Sequence, residues 1–277
     1  MNEIIPLLRH ALTSRSAFTP EALVSAVRAE RRLPMENIPA VCVLDFDGDL
    51  NDWLIANHIA VPHPAWACFH TSMSAIEVDG TPCGIIPRTI GGPYAVLVAE
   101  QLLVSGARVV LGLTSAGRVL DSLPVPSLVV ADRAVRDEGT SYHYLPPSET
   151  VGAAAGINDC LAAELQNLGL PLRRGCVWTT DAPYRETYEQ LRQHSQQEVL
   201  AVEMQAASLF AFAQARNAVV GLIAHVTNAV GHDGNDFDKG QDNFGLTLVH
   251  ALCRAGLRFV ESHPGVLIPR LGPAVTR

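Results

Sequence analysis

The sequence has little lysine, little charge overall and no long apolar run. Lys239 is its only lysine among 277 residues, charged residues make up 17%, and the formal net charge is -8. An acidic chain of this kind is a poor candidate for binding nucleic acid. No apolar run reaches the ~18–20 residues that a membrane span needs, and the first residues lack a signal-peptide pattern. We therefore expect a cytoplasmic protein that binds neither nucleic acid nor membrane.

The cysteines also lack a pattern. The six of them are scattered along the chain, and no two form a C-x-x-C pair. Several lie in apolar runs, such as Val41-Cys42-Val43. We interpret them as buried, reduced thiols.

Apolar segments with strand and helix character alternate along the chain without a linker or an internal repeat. Strands are predicted at 40–46, 75–79, 82–88, 109–113, 127–131, 173–178, 198–202 and 218–226. Helices are predicted at 20–32, 94–105, 151–168, 185–194, 203–215 and 243–260. This alternation predicts a single α/β domain with a mostly parallel sheet over 36–262, a helical arm at 1–35 and an irregular tail at 263–277.

The stretch VCVLDFDGDL (41–50) places three acids at alternate positions after an apolar run. It resembles the strand of a haloacid-dehalogenase-type phosphatase, but Lys239 does not stand where the charge-balancing lysine of that magnesium site belongs. It also resembles a calcium loop, but Leu50 replaces the required glycine and Ala56 the bidentate glutamate. A solvated strand end is the third interpretation.

Five further stretches point to one family when they are taken together. They are TIGGPYAVLVAEQLLVSGARVVLGLTSAG (89–117), EGTSYHY (138–144), WTTDAPYRE (178–186), AVEMQAASLFAFAQAR (201–216) and IAHVTN (223–228). In this order and spacing they resemble the nucleoside phosphorylase/nucleosidase superfamily, and its uridine phosphorylases in particular. The resemblance covers roughly residues 40–260.

The resemblance implies a three-layer α/β/α sandwich around a mixed, partly barrel-like sheet. It also implies that the protein cleaves the N-glycosidic bond of a nucleoside. The nucleoside is then its small-molecule partner. Inorganic phosphate is then the co-substrate, with no other cofactor and no metal. Members of this superfamily are usually homo-oligomers whose sites are shared between subunits.

The sugar-binding residues implied by the resemblance lie at the start of the helix predicted at 203–215. Met204 matches the methionine that packs against the ribose. Gln205 replaces a glutamate that grips the ribose hydroxyls, so it brings no negative charge to a cationic transition state. Glu203 matches the first acid of the motif, and a helix-start role is an equal alternative because an acid suits the first turn.

The implied base-binding residues are Thr180, Asp181 and Tyr184 in one stretch and Thr227 and Asn228 in another. Asn228 stands where purine-specific members carry an aspartate that protonates the base. An amide cannot be that acid, which favours a pyrimidine or another base. The polar stretch 231–240 is interpreted as a loop that covers the base.

The nucleophile side departs most from the family. Thr114 and Ser115 match the turn that binds phosphate, and the glycine-rich loop of the family falls on the stretch around Gly48. Two expected arginines are replaced, by Gly112 and Phe69. Arg88 follows a predicted strand and is the candidate to bind the anion in their place.

Two other functions stay open on the same residues. A phosphate-independent nucleosidase could use Asp47 or Asp49 as the general base that activates water. A nucleoside-binding protein without activity is the other possibility, because several family residues are replaced. Phosphorolysis is the activity that the overall resemblance favours.

Overall fold

The computed structural model describes residues 5–154, 156–229 and 244–265. Its strands are Val41–Asp45 (β1), Val61–Pro62 (β2), Ser74–Val78 (β3), Thr81–Pro87 (β4), Val109–Arg118 (β5), Ser127–Asp137 (β6), Thr150–Gly152 (β7), Leu172–Thr180 (β8), Val199–Glu203 (β9) and Val220–Ala229 (β10). Its helices are Pro20–Arg31 (α1), Asp49–Ala56 (α2), Gly92–Val104 (α3), Ile157–Leu165 (α4), Tyr188–Gln196 (α5), Ala206–Arg216 (α6) and Phe244–Ser262 (α7).

A mixed sheet forms the centre, and part of it closes into a barrel. The strand β1 pairs in parallel with β4 on one side and with β5 on the other. Beyond β1, the strands β5, β10, β6, β8 and β9 pair in sequence, and β9 pairs back onto β5. This arrangement confirms the predicted α/β fold with a mixed, partly barrel-like sheet.

Helices cover the sheet on both faces, which gives the three layers. Along β1, Val43 faces a core shared with α4 and α7, where Leu161 and Leu252 are buried. The next residue, Leu44, faces the opposite core with Phe210 of α6. Successive side chains of a strand point to opposite faces, so a strand buried on both faces is apolar at every position. The unbroken apolar run before Asp45 has this cause.

The structure differs from the sequence-based prediction in short elements that were not predicted, among them β2, and in strands that run further than predicted, among them β6, which continues from 131 to Asp137. The helix α2 was not predicted, and 150–152 forms the strand β7 on the edge of β6 where a helix was expected to begin. The strand β5 runs five residues past its predicted end at 113, to Arg118. Pairing with β9 and β10 carries it that far, and no local pattern signals such pairing.

The N-terminal helix α1 begins as its sequence predicts. The Thr19 hydroxyl accepts the Ala22 N–H at 3.3 Å, and Pro20 occupies the first turn. The helix buries Val24 and Val27 against the domain. In the part of the chain that is described, no helix is long and apolar enough to cross a membrane. The predicted covering loop at 231–240 and most of the predicted tail lie outside the described residues.

Candidate active site

The acidic stretch after β1 forms a tight connection into α2. Asp45 is buried, and its carboxylate accepts the backbone N–H of Gly48 at 3.2 Å and of Asn51 at 2.8 Å. Burial raises the pKa of Asp45 to about 6. Asp45 therefore holds the turn and the first turn of α2 in place, a role that the alternating acids alone do not reveal.

The other two acids of the stretch face solvent. Asp47 and Asp49 are both exposed, and Asp49 is the first residue of α2. An acid in the first turn of a helix is favoured by the helix dipole. The two predicted general bases thus lie just after the carboxyl end of β1, where water reaches them.

Arg88 lies against this connection. Gly48 has a φ of 86°, and a Cβ there would lie 2.6 Å from Cγ of Arg88, so only glycine fits. The Arg88 guanidinium forms an ion pair with Asp52 of α2, and both side chains are more than half exposed. Exposed ion pairs are weak, so the arginine predicted to bind an anion is held by a partner that an anion can displace.

The predicted phosphate turn lies on β5, beside the predicted base residues of β10. Ser115 pairs with His225, and Gly117 pairs with Asn228. The register shifts between Val226 and Asn228, which marks a β-bulge. Bulges often re-aim side chains at functional sites.

Thr114 and Thr227 are buried in these same two strands, whereas Ser115 and Asn228 are half-buried. The Thr114 hydroxyl donates to the carbonyl of Ser115 at 2.8 Å. The Thr227 hydroxyl lies 3.4 Å from Oδ1 of Asn228. The two buried threonines therefore hydrogen-bond their own neighbours, and Ser115 and Asn228 are the members of each pair that reach the surface of the site.

The predicted sugar residues join β9 to α6 next to β5. Val202 pairs with Gly117, directly before Glu203. Both carboxylate oxygens of Glu203 are engaged: one accepts the N–H of Gln205 at 2.6 Å and of Ala206 at 2.8 Å, and the other accepts the Thr179 hydroxyl. Burial raises the pKa of Glu203 to about 7.

Met204 and Gln205 differ in their access to solvent. Gln205 is 1% exposed, and its Oε1 accepts the N–H of Met204 at 3.2 Å. Met204 itself is half-buried. The amide of Gln205 therefore supports the backbone of Met204, and Met204 is the residue of this pair that a ligand can reach directly.

The predicted base stretch follows β8. Thr180 is buried at the end of the strand, and the exposed Asp181 accepts the N–H of Gly139 at 2.9 Å. Partial burial of its carboxyl raises the pKa of Asp181. Tyr184 is fully exposed and contacts none of the predicted site residues through a hydrogen bond or ring contact in the described part of the chain.

The EGTSYHY stretch was recognised from the sequence, but its Glu138 was not predicted as a site residue. Glu138 of EGTSYHY is buried, and its Oε2 accepts the Ser208 hydroxyl at 2.6 Å and the Ser141 N–H at 2.9 Å. These bonds tie the 138–144 segment to α6. The EGTSYHY motif draws attention to Glu138, but only the fold shows that its hydrogen-bond partner is Ser208 of α6.

The structure therefore gathers most of the predicted residues around one part of β5. The neighbours on β10 and β9 bring Asn228 and Glu203 to the Ser115–Gly117 segment, and β1 and β4 bring the acidic connection and Arg88 to its preceding residues. Tyr184 is not brought into this group. Among the residues that the structure describes, no three His, Cys, Asp or Glu side chains are grouped to hold a metal ion.

The central sheet is covered by helices on both faces, and pairing of β5 with β9 and β10 closes part of it into a barrel with polar side chains around β5. This arrangement defines an α/β protein of the phosphorylase fold. The chain belongs to the phosphorylase superfamily, whose family model matches residues 55–261. The acidic connection at 45–49 lies before the matched residues.

Individual relatives are distant and differ in the nucleoside that they are named for. A guanosine phosphorylase of Halorubrum lacusprofundi is 29% identical over 184 residues, which is 60% of this chain and 72% of that protein. A uridine phosphorylase of Thermococcus kodakarensis is 27% identical over 57% of this chain and 64% of that protein. The uridine phosphorylase of Escherichia coli is 23% identical over 54% of this chain and 65% of that protein.

Proposed function

We propose that this protein cleaves the N-glycosidic bond of a nucleoside by phosphorolysis. An oxygen of inorganic phosphate forms a bond to C1′ of the sugar while the bond from C1′ to the base nitrogen breaks. The base leaves with the bonding electron pair and takes up the proton that monohydrogen phosphate gives up. The observation that carries the proposal is the convergence of the implied phosphate, sugar and base residues on the Ser115–Gly117 segment of β5 in a phosphorylase-superfamily chain.

The residues divide the work by position. Ser115 donates its hydroxyl to phosphate, and Arg88 adds positive charge once phosphate displaces Asp52. Met204 packs against the sugar, with Gln205 and Glu203 as the positioning residues behind it. Thr180, Asp181 and Asn228 offer hydrogen bonds to the base, and the buried Thr227 positions the Asn228 amide behind them. Hydrogen bonds of this kind contribute to rate only if they strengthen as charge develops on the base and the sugar.

The test is base release from a panel of uridine, thymidine, guanosine and adenosine, with and without inorganic phosphate. We expect release from at least one nucleoside only when phosphate is present. The variant Ser115→Ala should raise KM for phosphate, whereas Ser122→Ala, an exposed serine beyond β5, should not. Release at the same rate without phosphate would overturn the proposal.

One observation favours hydrolysis as the second candidate. Asp47 and Asp49 are exposed to water at the strand end, and the neighbouring Arg88 is already paired with Asp52. In a nucleosidase, one of these carboxylates takes a proton from the water that attacks C1′. Asp47→Asn or Asp49→Asn should then abolish phosphate-independent release, whereas Asp121→Asn, an exposed acid in another loop, should leave it unchanged. Binding of a nucleoside without any release would instead support the non-catalytic alternative.

A further inference from the structure

A cleft of about 580 Å³ lies along α3. One wall is α1 with the segment before it, and the other is the turn at Thr140–His143 with the end of α6. Its lining is mainly apolar and includes Leu7, Phe18, Leu23, Pro93, Val96 and Leu97. Clefts of roughly 300–1,000 Å³ with apolar walls and a few polar groups are typical of small-molecule sites.

The first polar group in this cleft is a buried acceptor that lacks a partner. Gln101 is 1% exposed and lines the cleft. Its Nε2 donates to the carbonyl of Leu97 at 3.2 Å, which fixes the orientation of the amide. Its Oε1 has no hydrogen-bond partner among the described residues. Buried acceptors in native proteins are nearly always satisfied. Since this oxygen is itself inaccessible to water, an N–H or O–H donor from an occupant reaches it only after a small shift of the neighbouring side chains.

The second polar group is an arginine held in place by its neighbours. The Nε of Arg216 donates to Glu100 at 2.9 Å, and the guanidinium lies 5.7 Å from the ring centroid of Tyr144. The Tyr144 hydroxyl also donates to Glu100, at 3.0 Å. The two terminal nitrogens of Arg216 form no hydrogen bond with the residues that the structure describes. They can bind a planar anion through two parallel hydrogen bonds.

We propose that this cleft binds a small amphipathic molecule with a flat apolar body, one N–H or O–H donor and one anionic group. The apolar walls bury the body, Gln101 accepts from the donor, and Arg216 binds the anion. Asp181, which belongs to the predicted base stretch, also lines the cleft. An occupant therefore lies beside that stretch, but the proposal does not depend on the reaction that the protein catalyses.

The probe for this proposal is 8-anilinonaphthalene-1-sulfonate, which combines an aromatic body, an N–H and a sulfonate. Its fluorescence is titrated with the full chain, with near-UV circular dichroism to show that each variant is folded. Leu97→Glu places a negative charge in the cleft, which repels the sulfonate, and Ile55→Glu is its matched control because each residue is 41% exposed on a helix. We expect the wild type and Ile55→Glu to bind alike and Leu97→Glu to bind at least tenfold more weakly. Absence of binding by the wild type, or equal binding by Leu97→Glu, would overturn the proposal.

A second pair of variants tests the chemistry of the occupant. Gln101→Leu keeps a similar volume and removes the acceptor, so affinity should fall about 3- to 10-fold, as expected for one hydrogen bond. Arg216→Gln removes the charge and should weaken binding by a similar factor or more. Unchanged or tighter binding by both variants would show that the probe is held by apolar contact alone and would contradict the proposed ligand class.

Discussion

Glu203 shows how one buried carboxylate organises the sugar side of the candidate site. Its oxygens accept the N–H groups of Gln205 and Ala206, which are orphan donors at the start of α6, and the hydroxyl of Thr179 on β8. The side chain is therefore fully used inside the protein. In the proposed function, its contribution is the placement of Met204 and Gln205.

The raised pKa of Glu203 predicts a pH-dependent stability. In the folded chain this carboxyl keeps its proton up to about pH 7, whereas in the unfolded chain it ionises near its ordinary pKa of 4.5. The folded state binds more protons between these values, so the free energy of unfolding falls as pH rises from 4.5 towards 7. The fall attributable to this group is at most about 3 kcal/mol.

Urea unfolding of the wild type and Glu203→Gln at pH 5 and pH 8 measures this effect. Other titrating groups, such as Asp45, are common to both proteins and cancel in the comparison. We expect the stability of the wild type relative to Glu203→Gln to be lower at pH 8 than at pH 5. An identical difference at both pH values would contradict the assignment of a raised pKa to this residue.

The ion pair between Arg88 and Asp52 predicts opposite effects of its two members on phosphate binding. Asp52→Asn frees the guanidinium and should lower KM for phosphate. Arg88→Gln removes the charge and should raise KM for phosphate about tenfold. Steady-state kinetics at varied phosphate measure both, with Arg192→Gln, an exposed arginine on α5, as the control. If both variants match the wild type, Arg88 has no part in anion binding.

At the scale of elements, α3 and α6 meet closely at their first turns. A Cβ at Gly92 would lie 2.2 Å from Oγ of Ser208, which donates to Glu138. The glycine pair before Pro93 thus serves two purposes: Gly91 has a φ of 88°, and Gly92 allows the two helices to approach. The close contact fixes the 138–144 segment relative to both helices.

This contact predicts a specific loss of stability. Gly92→Ala forces the helices apart and should cost about 1–3 kcal/mol of unfolding free energy, as is usual for overpacking. In the double variant with Ser208→Ala the loss should be smaller than the sum of the two single losses. Gly152→Ala is the control, since its Cβ would meet nothing closer than 3.8 Å. Chemical denaturation of the four variants measures their free energies of unfolding. If Gly92→Ala is as stable as the wild type, the two helices are not in close contact at this point.

The elements that could be predicted from the sequence are those whose own pattern determines them. The apolar runs of β1, β5 and β10 and the Thr19-Pro20 start of α1 are local signals, and each predicted the right element. The helix α2 was missed because its polar first turn resembles a loop and is stabilised by Asp45 from the preceding strand. The strand β7 exists only through its pairing with β6.

The candidate site, too, could be predicted only where a local sequence pattern determines it. Family motifs identified the stretches that β5 gathers, but not which side chains face inward. Gln205 and Glu203 turn out to be buried supports, and Tyr184 is exposed, because strand pairing and the turn after β8 decide these orientations. No single stretch of sequence contains that information.

In the molecule as a whole, β5 is the strand around which the proposed site is arranged. It pairs with β1, β10 and β9 and so connects the open part of the sheet to the barrel. Of the proposed site residues, Ser115 lies on β5 itself, Asn228 lies on β10, and Met204 follows β9. The relatives named for guanosine and for uridine share the superfamily. We propose that the choice of base in this chain depends on its own residues Thr180, Asp181 and Asn228, with Thr227 positioning Asn228.

We propose that phosphate, and not water, takes the sugar. Uridine and guanosine are incubated with the protein and inorganic phosphate and followed by ³¹P NMR, while free base is measured in the same samples. We expect the phosphate signal to decline and a pentose 1-phosphate signal to grow in step with the free base. Release of base with no new phosphorus signal would contradict the proposal.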